Sequence, residues 1–167
     1  PPPTTMLAAA MLRQPGHRVD LFDATFLEGA HAFETVLARH DPSVLLLIED
    51  NFNFLTKMCT ENRRDDAIAM IRAAHDRGWR IAVNSPDAVD NPRMYLDAGA
   101  DAVLTGEGEF SANEFAHAVQ TGADLASISG LLLAGDAGSV RRTPVRLSPR
   151  DLDSLPFPAW DLVDAEA

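Results

Sequence analysis

The 167-residue sequence has the length of one domain, and with 46% hydrophobic and 23% charged residues its composition is that of a folded globular chain rather than a disordered one. Acidic residues outnumber basic ones 25 to 14, giving a formal net charge of -11, a field that repels phosphate backbones and anionic lipid and so argues against nucleic-acid or membrane partners. One cysteine, Cys59, leaves neither an internal disulfide nor a Cys cluster for zinc or iron–sulfur. With no apolar run of about 18 residues and no basic-plus-apolar leader after Pro1-Pro2-Pro3, the expectation is a cytoplasmic protein.

In chain order, Thr4 or Thr5 is expected to cap a helix through Met6–Leu12 that Pro15-Gly16 stops. Arg18–Phe22 reads as a strand with Asp23 at its carboxyl end, and 30–39 as a helix with Phe33, Val36 and Leu37 on one face. Ser43–Ile48 is apolar at alternate and intervening positions alike, the pattern of a strand buried on both faces of a parallel sheet. A polar and aromatic stretch, 49–58, leads to a helix over 65–76 closed by Gly78. Strands are expected at 80–83 and 101–104, with a turn at 84–87 and a helix started by Pro92 between them. Thr105-Gly106-Glu107-Gly108-Glu109 then opens a helix from Ser111 to about residue 120.

Strands joined through helices require parallel pairing with right-handed crossovers, so a doubly wound, Rossmann-like α/β sheet is expected over 1–128. Leu131–Ala134 and Val140–Leu147, separated by Gly135–Gly138, add a terminal β-hairpin over 129–148, and the Pro-punctuated segment 149–167 reads as a linker. Such sheets open with a strand, whereas this chain opens on a helix without an initiator Met, so the first strand is expected upstream of Pro1. An unpaired sheet edge would also allow two copies to pair.

Ligands of open α/β sheets bind beyond the carboxyl ends of the strands. Asp23–Thr25, Glu49–Asn53, Asn84–Asp87 and Thr105–Glu109 fall there. Gly106 and Gly108 permit close backbone approach to a ligand, although Glu107 and Glu109 also suit a helix N-terminus with no ligand at all. His17, His31, His40, His75 and His117 show no ligand spacing, and Cys59 has no Cys or His beside it, so neither catalysis nor a metal is assigned to them.

Taken together, the segments Met6–Leu12, Gly16–Leu21, Gly99–Glu109 with its GEGE turn, Ile128–Leu131 and Leu155–Leu162 resemble the N-terminal cobalamin-binding domain of B12-dependent radical SAM enzymes. The resemblance implies a corrin and nucleotide cleft lined by Glu49, Asp50, Asn84, Ser85, Thr105, Gly106, Glu107 and Gly108, with no cobalt-ligating histidine. It further implies a parent enzyme in which a downstream radical SAM barrel holds a [4Fe-4S] cluster and S-adenosylmethionine, typically for methyl transfer. This chain departs from the family at Asn84-Ser85-Pro86-Asp87, where a Gly-Gly-Pro-His-like turn is usual, and it carries no C-x-x-x-C-x-x-C motif. Three other readings stay open: a domain of the same fold that has lost its cofactor and serves interaction, a receiver-like domain phosphorylated at Asp50, and a fragment of a (β/α)8 barrel.

Overall fold

The computed structural model describes residues 2–24, 29–49, 60–148 and 150–163. Its elements are α1 (Pro3–Arg13), α2 (Gly29–Leu37), β1 (Val44–Ile48), α3 (Thr60–His75), β2 (Arg80–Asn84), α4 (Pro86–Asp90), α5 (Pro92–Asp97), β3 (Ala102–Leu104), α6 (Glu109–Thr121), β4 (Leu131–Ala134) and β5 (Val140–Arg142). The sheet runs β1-β2-β3-β4-β5; the first three strands are parallel, and β4 and β5 are antiparallel to their neighbours. This is the expected Rossmann-like sheet with its terminal hairpin. The open sheet and antiparallel hairpin do not continue a (β/α)8 barrel pattern.

Strand alternation divides the core into two layers. Ile81, Val83, Val103 and Leu132 face a cluster with Phe33, Leu37, Ile71, Ala74 and Tyr95, contributed by α2, α3 and α5. Ala82, Ala102, Leu104 and Leu131 face the other way, onto Ala112, Phe115 and Ala118 of α6. Helix α1 packs against α6 on that second side. The tail grips α1 in turn: Ala159 N–H donates to Met6 O at 3.0 Å, and Arg13 makes a two-oxygen bond to Asp161 at 2.9 and 2.7 Å.

Several expectations are corrected. Residues 17–24 pair in no strand, because β-favouring residues at 18–22 gain nothing from extension without a hydrogen-bonded neighbour. Pro2, not Thr4 or Thr5, is the N-cap of α1, with Pro3 in the first turn where its missing N–H costs nothing. The turn at 84–87 instead starts a helix, since Ser85 is an N-cap whose Oγ accepts from Ala88 N–H ahead of Pro86. β5 stops at Arg142; beyond it Thr143 N–H donates to Leu131 O at 3.0 Å and Gly130 N–H to Pro144 O at 2.8 Å, an irregular continuation forced by a proline without a donor. β1 starts one residue later than expected and lacks the expected burial: all five of its residues are only half-buried.

Candidate functional site

Because β1, β2 and β3 are parallel, their carboxyl ends open on one edge of the sheet, and the chain's three following loops meet there. Glu49 follows β1, Asn84 ends β2 with Ser85 next to it, and Thr105 through Gly108 link β3 to α6. The structure thus brings together seven of the eight residues singled out from sequence; Asp50 lies outside the described residues.

Their roles differ. Asn84 is 6% exposed and its Nδ2 donates to Leu104 O and Gly106 O, both at 3.2 Å, so it holds the loop from beneath. A Cβ at position 108 would stand 2.7 Å from that Nδ2, so Gly108 is required for packing on Asn84 and not for approach to a ligand. Gly106 is the reverse case: its φ of +66° puts the backbone in the left-handed region and a Cβ there would meet nothing within 4 Å. Thr105 is fastened to the hairpin, its N–H and Oγ1 both donating to Gly130 O at 2.8 and 3.1 Å. The result is an exposed backbone ledge at 106–107 resting on a buried amide, with the Glu107 side chain in solvent.

Across the ledge, Ser85 is 2% exposed and donates its hydroxyl to the Glu49 carboxylate, while Glu49 N–H donates to Asn84 O at 2.9 Å. Behind Ser85 lies a group that periodicity did not reveal. Asp87 accepts from Arg64 Nε at 2.7 Å, from a second Arg64 nitrogen, from Tyr95 OH at 2.6 Å and from Asn91 Nδ2 at 3.1 Å. The Arg64 hydrogen bonds, followed by that of Tyr95, hold the Asp87 carboxyl below its ordinary range. Burial and the bond to Asp87 push the Tyr95 phenol up. The sequence signal was an Arg on the last helix before the loop and a Tyr two turns after Asp87, which no local motif marks. At the other end of the ledge, Glu109 in the first turn of α6 is 9% exposed, and burial, with Glu107 nearby, raises its carboxyl pKa.

Among the described residues no three His, Cys, Asp or Glu side chains group closely enough to hold a metal ion, and no helix is long and apolar enough to cross a membrane. What this rim offers is therefore backbone donors and acceptors, a hydroxyl and carboxylates.

No family model matches the sequence. An uncharacterized methyltransferase of Synechocystis sp. is 31% identical over 104 residues, 62% of this chain and 18% of the relative. An uncharacterized methyltransferase of Pyrococcus horikoshii is 38% identical over 63 residues, 38% of this chain and 14% of the relative. The chain thus spans less than a fifth of the length of the curated relatives it matches. Among solved structures, the cobalamin-dependent S-adenosylmethionine radical enzyme OxsB, with aqua-cobalamin and S-adenosylmethionine bound, matches 97% of this chain and 22% of its own at 17% identity, with a TM-score of 0.73. The radical S-adenosylmethionine methyltransferase TsrM of Kitasatospora setae, with cobalamin and a [4Fe-4S] cluster bound, matches 93% of this chain and 28% of its own at 19% identity, with a TM-score of 0.68. At these identities the likeness shows a shared fold: the chain has the Rossmann-like architecture of one part of those larger proteins.

Proposed function

We propose that this chain is a cobalamin-binding domain of a radical SAM enzyme, with methyl transfer as the reaction class of the whole protein. The observation that carries the reading is the open glycine ledge at the carboxyl end of β3, in a fold shared almost end to end with part of OxsB. The residues present fit the group. Gly106 and Glu107 expose backbone and a carboxylate to a flat ring; Glu49 offers a second carboxylate; both suit the amide donors on a corrin's periphery. Asn84, Ser85 and Gly108 act one step back, positioning that ledge through the bonds described above, and Asp50 is proposed beside Glu49 from its place in sequence. Bound cobalamin would supply a cobalt centre able to carry a methyl group. The chain's share is to seat, orient and shield it, since such a cofactor carries the chemistry itself. A following domain with a [4Fe-4S] cluster and S-adenosylmethionine belongs to the same proposal.

One observation favours a second reading, a domain of this fold used only for interaction. Glu49, Glu107 and Glu109 make the rim acidic, which opposes a nucleotide phosphate unless backbone N–H groups receive it. Hydroxocobalamin mixed with the protein and passed over a desalting column separates the two. The expected result is a retained corrin absorption spectrum, reduced about tenfold in Gly106→Trp, whose ring would cover the ledge. Colourless wild-type protein, also when produced with its native upstream residues, would support the interaction reading instead.

A further inference from the structure

Glu49 is a loop carboxylate with a fixed pose. It is half-buried directly after β1, and its N–H donates to Asn84 O at 2.9 Å, which carries the β1–β2 pairing one residue past the strand. One carboxylate oxygen accepts the hydroxyl of Ser85, itself 2% exposed. The same Ser85 Oγ accepts from Ala88 N–H as the cap of α4, so its single proton is committed to Glu49. Helix α4 is held in its turn, because Asp87 in its first turn bonds Arg64 of α3 and Tyr95 of α5. A strand end and three helices therefore set the direction of one carboxylate before any ligand arrives.

The second oxygen of Glu49 receives no donor among the described residues. No cation balances it there either: the Arg64 guanidinium is engaged by Asp87, and among the described residues Glu49, Glu107 and Glu109 enter no ion pair. An ionised carboxylate only accepts hydrogen bonds. This end of the rim thus presents lone pairs and negative charge, and its one hydroxyl proton is already used. An uncharged group with N–H bonds to give, such as a primary amide, complements it. A carboxylate in the same place would set like charge against like with no proton between them, which is a device for rejecting a ligand as much as for binding one.

Resting on the cobalamin reading, we infer that Glu49 is a specificity-determining residue: it reads a primary amide on the edge of the corrin and rejects a corrin that carries a carboxylate there. The ligand class narrows to corrins whose peripheral acids have already become amides, so an amide-forming reaction must precede the loading of this domain. Glutamine at position 49 reverses the contact without changing its size. Its carbonyl can still accept from Ser85, and its NH2 then faces the ligand as a donor.

The test compares hydroxocobalamin with the acids made by hydrolysing one of its peripheral amides, each positional isomer separately, by equilibrium dialysis read from corrin absorbance. The wild-type chain is expected to bind at least one isomer about tenfold more weakly than hydroxocobalamin, and Glu49→Gln to narrow that gap to about twofold. Equal binding of hydroxocobalamin and every isomer by the wild-type chain overturns the inference and leaves the cobalamin reading standing. Binding of no corrin at all overturns both. A deficit that Glu49→Gln leaves unchanged places the discrimination in another residue and overturns the inference as well. Salt supplies a measurement that needs no variant to fold: a roughly tenfold rise in ionic strength shortens the screening length about threefold and should shrink the wild-type gap. A gap indifferent to salt reflects shape rather than charge, and it too overturns the inference.

Discussion

Two carboxylates near the ledge, Asp87 and Glu109, bias stability in opposite directions. Asp87 has a folded pKa below its ordinary value, so its contribution is complete above the usual carboxylate pKa of about 3.9 and disappears as pH falls through the lower folded value. Asp87→Asn should cost about 1–2 kcal/mol at pH 7, a charged-bond loss trimmed because the pair with Arg64 is partly exposed, and should flatten the acid limb of the stability curve. Glu109 has a raised folded pKa, first from burial, so its contribution is complete below its unfolded pKa and is lost as pH rises through the folded value. Glu109→Gln should leave stability at pH 7 unchanged or higher, though it gives up the favourable placement of a negative charge in the first turn of α6. Urea titrations of both variants between pH 3 and 8 check the two signs; equal effects of the same sign would contradict this account.

At the scale of elements, β1 is the anomaly. Its five apolar residues are half-buried where β2 and β3 are almost wholly buried. Leu46→Ala should therefore cost clearly less than the roughly 2–5 kcal/mol of a buried leucine, whereas Leu104→Ala should cost that full amount, as read by urea denaturation. The same contrast explains what the sequence made legible. Continuous apolar runs identified β1, β2 and β3 to within a residue or two, since a run without alternation is the pattern of strands inside a parallel sheet. Segment 18–22 has equal β-character and is no strand, because pairing depends on a neighbour that no local pattern reports. The loop 84–87 was recognised as a rim segment, but its helix was missed because Ser85 as cap and Pro86 at the first helical position also spell a turn. Of the site, the ledge residues were readable from the two glycines. That one of these glycines serves a buried Asn84 while the other faces open space depends on a side chain far back in the sequence, which is tertiary information.

For the molecule as a whole, the most exposed large apolar side chains among the described residues follow β5: Phe157 is 96% exposed, Leu147 87% and Val145 75%. Apolar side chains this exposed along one stretch of chain are available to a neighbouring surface. Phe157→Ser should change the stability of this chain by no more than about 0.5 kcal/mol, because the ring touches little that folding buries. In a polypeptide carrying the proposed following domain, the same change should lower the denaturation temperature of the two-domain unit, which calorimetry on both lengths would show.

The grip of the tail on α1 ties this surface to the helical layer of the fold. Arg13–Asp161 and Ala159–Met6 fasten residues 159 and 161 to the two ends of one helix. Helix α1 packs in turn on α6, the helix that starts at the ledge, so a pull on Asp161 acts on α1 before it reaches the sheet.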